Sequence, residues 1–125
     1  SKVQCKNLSI TKVFDKAISV GENSRAIIDS VNITNSSVGI ASKDGSVTTV
    51  SNITINDSTN YDLMAYNKKT SYGPSTININ NSSFDHSKVA SSDNSKIMIN
   101  NQKIANKNIN TKELYKTIMK PGVKK

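Results

Sequence analysis

The chemistry open to this chain rests on nine carboxylates, one histidine and one cysteine. The acidic residues are Asp15, Glu22, Asp29, Asp44, Asp57, Asp62, Asp85, Asp93 and Glu113. Two or three carboxylates on one face would serve a glycosidase, and clustered Asp with a proton-abstracting base would serve a calcium-dependent lyase. Their spacing indicates turn chemistry instead. Glu22, Asp44 and Asp93 recur at one position of a repeated turn, and Asp57 and Asp85 at another, where Asp accepts local backbone hydrogen bonds. His86 is the only histidine and Cys5 the only cysteine, too few for a zinc site built on those ligands. The chain has no serine elbow, phosphate loop or dinucleotide fingerprint. No catalytic residue, metal or cofactor is assigned on this basis.

Ligand binding is expected instead at one loop. Tyr66 to Pro74 gathers two tyrosines and two lysines, with Tyr61 nearby. Tyrosine rings stack on sugar rings and lysines meet carboxylates or sulfates. The candidate binding residues are therefore Tyr61, Tyr66, Lys68, Lys69 and Tyr72, against the plainer alternative of a solvated loop.

That loop interrupts a repeat. A nine-residue phrase occurs five times: KVQCKNLSI from Lys2, RAIIDSVNI from Arg25, VTTVSNITI from Val47, TININNSSF from Thr76 and KIMINNQKI from Lys96. The spacings are 25 − 2 = 23, 47 − 25 = 22, 76 − 47 = 29 and 96 − 76 = 20 residues. The long third interval holds the loop. Apolar residues recur at the second, fourth and ninth positions, the fourth being Cys5, Ile28, Val50, Ile79 and Ile99. The seventh holds Leu8, Val31 and Ile53, then lapses to Ser82 and Gln102. Period-two alternation of β-branched residues predicts strands, and the polar break after the fourth position predicts a bend between two of them. A third strand follows, with Ile18, Ile40, Leu63 and Val89 at its inward position. Turns ending in Ser24, Ser46 and Ser95 close three of the copies.

Three short strands per turn and a period near 20 predict an all-β parallel β-helix of about five rungs, rising roughly 20–25 Å. Inward Ile and Val form stacks, and Asn at equivalent corners is expected to form amide ladders. The expected division is 1–106 for the rungs and 107–125 for a helical cap and basic tail. In the tail, Thr111 as N-cap, Leu114, Tyr115, Ile118 and Met119 at helical spacing, and Pro121-Gly122 as a stop predict a short helix over the open end of the last rung. The start on Ser1, without an equivalent cap, is read as a sign of missing upstream rungs.

Composition sets the class of partner. Lys and Arg total 17 against 9 Asp and Glu, a formal charge of +8, but Arg25 is the only arginine. Nucleic-acid readers lean on arginine forks, so nucleic acid is not expected; the lysine excess is read first as solubility and a basic tail, with attraction to an anionic polymer, polysaccharide or nucleic acid, as the alternative. No apolar run is long enough for a membrane span.

The chain resembles the right-handed parallel β-helix family, the pectate-lyase-like superfamily, over about residues 2 to 106. The resemblance rests on the repeat period and on phrases such as DKAISVGENS, SVGIASKDGS and STININNSSF. It implies secretion or a bacterial cell surface, and a polysaccharide-related setting. The function expected is a non-catalytic C-terminal module of a larger protein, serving as scaffold and contacting carbohydrate. Its partners would be polysaccharide and upstream domains of the same chain, with oligomers formed by side or end stacking. The alternatives are a fragment of a polysaccharide lyase or glycoside hydrolase, and an adhesin or tail-fibre-like assembly element.

Overall fold

The computed structural model describes residues 2–67, 70–92, 94–103 and 107–108. They form a parallel β-solenoid of about four turns. Strands β1 (Lys2–Val20) and β2 (Arg25–Lys43) each run 19 residues around a turn. The third turn is cut into β3 (Val47–Ser51), β4 (Thr54–Asn56) and β5 (Tyr61–Tyr66). β6 (Thr76–Asn80) and β7 (Val89–Ser91) belong to the fourth, followed by β8 (Lys96–Ile99), β9 (Gln102–Lys103) and β10 (Lys107–Asn108).

The register is the one the repeat requires. Cys5 pairs with Ile28, Ile28 with Val50, Val50 with Ile79 and Ile79 with Ile99, all parallel. Ile10, Ile33 and Ile55 form a second column, and Ile18, Ile40, Leu63 and Val89 a third. Period two turns these positions inward on every strand, so they fuse into one core in which Ile28, Ile33, Ile40, Leu63 and Ile77 are fully buried.

The corners depend on left-handed backbone. Asn7, Ser30, Asn52, Asn81 and Asn101, the sixth residue of each phrase, all have positive φ, from 49° to 66°. Lys12, Asn35 and Asp57 repeat this at the second corner. Asparagine tolerates this conformation better than other residues with a side chain, which accounts for the Asn richness through the backbone. Two corner amides bond to other groups: Asn52 donates to Asp29 at 3.0 Å and Asn60 to Ser37 at 2.8 Å. The third corner carries an internal hydroxyl cluster, in which Ser42 meets Ser46 at 2.6 Å and receives the Thr48 hydroxyl at 2.9 Å.

The fifth copy of the phrase starts a turn that the described residues do not complete. β8 stacks on β6, but β9 then folds back antiparallel on β8, with Met98 opposite Lys103 and Ile99 opposite Gln102. Asn100 and Asn101 both have positive φ, the two-residue hairpin geometry. This is why about four turns stand where five were expected. The expected helix over the last rung falls on residues outside the described ones. Lys107–Asn108 adds a short strand beside β7, opposite Ala90 and Ser91.

Candidate functional site

Three of the five residues expected at the loop are described, and they do not share one exposed surface. Tyr66 is the last residue of β5 and has no exposed surface, packed with Val38, Ala41 and Met64. Tyr61 is half-buried against the same group. Tyr72 ends a 3-10 turn, Thr70–Tyr72, and is 38% exposed. Lys68 and Lys69 lie outside the described residues. The inserted segment is anchored where it rejoins the stack: the Ser75 hydroxyl donates to the Tyr66 carbonyl at 2.6 Å, and the Ser75 amide donates to the Ser95 hydroxyl at 3.0 Å. The Tyr72 carbonyl crosses the second turn at Gly45, whose φ is +78°. A Cβ at Gly45 would run into that carbonyl and into the Asn23 side chain.

A different group of side chains is brought together at the second corner of the third and fourth turns. Asn56, Asp57, Asp62, Ser83, Phe84, Asp85 and Lys88 line a polar groove of about 360 Å³. Asp62 is buried on β5, one rung beneath Asp85, and its Oδ2 accepts the Asp85 backbone N–H at 2.6 Å. Asp85 caps the 3-10 turn His86–Lys88. Its Oδ1 accepts the Ser87 hydroxyl at 2.6 Å and the Ser87 N–H at 2.9 Å. The Ser87 hydroxyl, then its amide, hold the Asp85 carboxyl below the ordinary value of 3.8, because both bonds favour the charged form. Lys88 is tied down by donating to the Ser58 carbonyl at 2.6 Å. The rings of Phe84 and His86 stack 4.5 Å apart at 11°. Phe84 leans on the core, while His86 is exposed.

This arrangement presents a flat ring, an ionised carboxylate and a fixed ammonium within one recess. It is suited to accepting and donating hydrogen bonds. Asp85 is poorly suited to act as a general acid, which requires a carboxyl pKa pushed up rather than down. Among the described residues no three His, Cys, Asp or Glu side chains form a group that could hold a metal ion. Of the paired carboxylates, Asp57 and Asp85 do meet at this groove. In the other row, Glu22 is exposed, Asp44 is buried in its corner with φ 52°, and Asp93 lies outside the described residues.

Sequence reasoning passed over Phe84, His86 and Lys88, although a signal was present. At the second corner the first three copies place Lys12, Asn35 and Asp57 in left-handed backbone. The fourth has Asp85-His86-Ser87 there, an Asp-capped turn, and the ninth phrase position changes from Ile to Phe84.

A second feature is the open start of the solenoid. Val3, Cys5, Leu8, Ile10, Ala17 and Ile18 surround an apolar concavity of about 360 Å³. Val3 is 51% and Leu8 43% exposed. Cys5 is half-buried there rather than sealed in the core. Among the described residues β1 pairs with β2 alone, so its other edge is unpaired.

No helix among the described residues is long and apolar enough to cross a membrane. No protein-family model, curated protein or solved structure matches the chain.

Proposed function

We propose that this chain is a non-catalytic β-solenoid module of a larger bacterial surface or polysaccharide-related protein. It serves as a scaffold that carries further rungs on its first turn and contacts carbohydrate on its flank. Kinship with the pectate-lyase-like superfamily belongs to the same proposal and rests on the repeat. The observation that carries the scaffold reading is the open first turn. Every inward column of the solenoid ends there on an apolar or half-buried residue, in register for one more rung. An unpaired strand edge beside exposed Val3 and Leu8 is a template for another strand. The groove at Asp57, Asp85 and Lys88 supports the carbohydrate contact. Its hydrogen-bonding groups and the Phe84 ring, on which the exposed His86 stacks, are the parts from which sugar sites are built, and the depressed Asp85 favours binding over proton donation.

The scaffold reading is tested by sedimentation of the full chain over a concentration series. An end that accepts a rung also accepts a second copy in a two-fold, end-to-end contact. The expected result is association that rises with concentration and disappears in Val3→Lys/Leu8→Lys, with the circular dichroism of the strands retained. A chain that stays monomeric throughout overturns the reading, as does association that the double substitution leaves intact.

A further inference from the structure

Charge is spread unevenly over the first turn. Residues 2–12 hold Lys2, Lys6 and Lys12 and no acidic residue. All three lysines are exposed. Lys2 and Lys6 flank Val3 and Cys5 on the outer side of β1, and Lys12 stands at the second corner with φ 59°. The rest of the turn carries Asp15 and Lys16, paired with each other at 3.2 Å, and Glu22. The positive charge therefore gathers along the part of the edge that also exposes Val3 and Leu8.

In a solenoid each residue lies over its equivalent about 4.8 Å away, so charges on successive turns face each other. Lys6 stacks on Asp29, an opposite-charge pair. Lys2 stacks on Arg25, a like-charge pair, and both are exposed. Toward the other edge of β1 there is no strand among the described residues. A rung added there is set against three lysines at once. Acidic residues at those places make each contact an attraction, and basic ones make it a repulsion. A second copy of the chain, turned edge to edge, brings three more lysines to the seam.

Resting on the reading of the first turn as an end that accepts a rung, we infer that its occupant is an acidic rung. This is an extended polypeptide segment in parallel register, with apolar residues opposite Val3, Cys5, Leu8 and Ile10 and Asp or Glu opposite Lys2, Lys6 and Lys12. The apolar set fills the concavity, and the main chain pairs with the open strand edge. The acids add register to attraction. The lysine spacings are unequal, 6 − 2 = 4 and 12 − 6 = 6 residues, so three matching acids fit in one direction and one alignment. A slip of one residue also turns the apolar set outward. The end is thereby selective for a partner of opposite charge over a second copy of itself.

The test uses the chain's own residues 47–57, VTTVSNITIND, which stack in this register on the second turn. A labelled peptide with Val47→Glu, Thr48→Val and Ser51→Glu places acids opposite Lys2 and Lys6 and keeps Asp57 for Lys12. Its control carries Val47→Lys, Thr48→Val, Ser51→Lys and Asp57→Lys. In fluorescence anisotropy with the full chain, the acidic peptide should bind at least about tenfold more tightly than the basic one. That advantage should shrink when salt rises from about 50 mM to about 500 mM, where charges are screened within a few ångströms. Lys2→Glu/Lys6→Glu should reverse the preference with the circular dichroism of the strands retained. Should that variant fail to fold, the salt series decides, since it needs no change in the protein. Equal affinity for the two peptides, or an acidic advantage that salt leaves unchanged, overturns the acidic occupant and leaves the accepting end standing. A second copy that binds more tightly than the acidic peptide at low salt names the chain itself as occupant and overturns the proposal. Binding of neither peptide overturns the acidic occupant and the accepting end together.

Discussion

Asp85 and Ser87 show how one local bond sets what a residue can do. Two hydrogen bonds from Ser87 stabilise the charged carboxylate, so its proton affinity falls below that of an ordinary aspartate. A carboxylate held in this way accepts hydrogen bonds from hydroxyl groups throughout the neutral range. The residue-scale prediction concerns its neighbour. In a titration of neutral and acidic polysaccharides, His86→Ala should weaken binding about five- to tenfold, the value of about 1 kcal/mol in ring contact. No new chain ends should appear during incubation. Shortened polysaccharide would sink the non-catalytic reading, and equal affinity of the two proteins would remove the stacked Phe84–His86 rings from the contact. Part of this was legible in the sequence: Asp57 and Asp85 fall at matched positions of the repeat. That Asp62 and Lys88 join them was not, because Asp62 belongs to a different strand and reaches Asp85 only through the stacking of turns. Tyr66 shows the opposite limit. Its position beside an insertion suggested a surface ring, but alternation along β5 and a covered sheet face bury it completely.

At the scale of the element, the same dipeptide has two outcomes. Asn80-Asn81 and Asn100-Asn101 occupy equivalent places in the fourth and fifth phrases. In the fourth only Asn81 is left-handed, and the chain continues: the Ile53 amide donates to the Ser82 hydroxyl at 3.1 Å, and the Ser83 amide to the Ile53 carbonyl at 2.9 Å. In the fifth both asparagines are left-handed, and the strand reverses into the β8–β9 hairpin. Where the earlier phrases place Leu8, Val31 and Ile53, the fifth offers Gln102, which has nothing apolar to bury. Gly tolerates positive φ at no steric cost, while a β-branched residue is strained there. Asn101→Gly should therefore keep or slightly raise stability in urea unfolding, and Asn101→Val should lower it by about 1–2 kcal/mol. An Asn101→Val protein as stable as the parent would show that this turn carries no such strain. The strands were readable from period two, but the choice between continuing and reversing turns on the backbone of one residue, left-handed at Asn100 and not at Asn80.

For the whole molecule, a solenoid distributes its stability through nearest-neighbour turns, so an end turn with one partner is weaker than a turn with two. β1 has β2 on one side and no partner on the other among the described residues, while β3 lies between β2 and β6. Native-state hydrogen exchange should show this as a gradient, with amides of β1 exchanging at least about a hundredfold faster than those of β3 and β6. Uniform protection from Lys2 to Asn80 would mean that the first turn is not an open end. The fold was legible in the five phrases because repetition aligns equivalent residues, and parallel stacking needs little more than that alignment and a supply of Ile and Val. Sequence by itself determined the columns, the corners and the solenoid class, since each follows from local periodicity and from the backbone tolerance of Asn and Gly. Tertiary structure alone decided which polar corner residues share a groove, which outward face is sealed and that the fifth phrase turns back on itself as a hairpin. Those outcomes depend on contacts between turns about twenty residues apart, which no local pattern encodes.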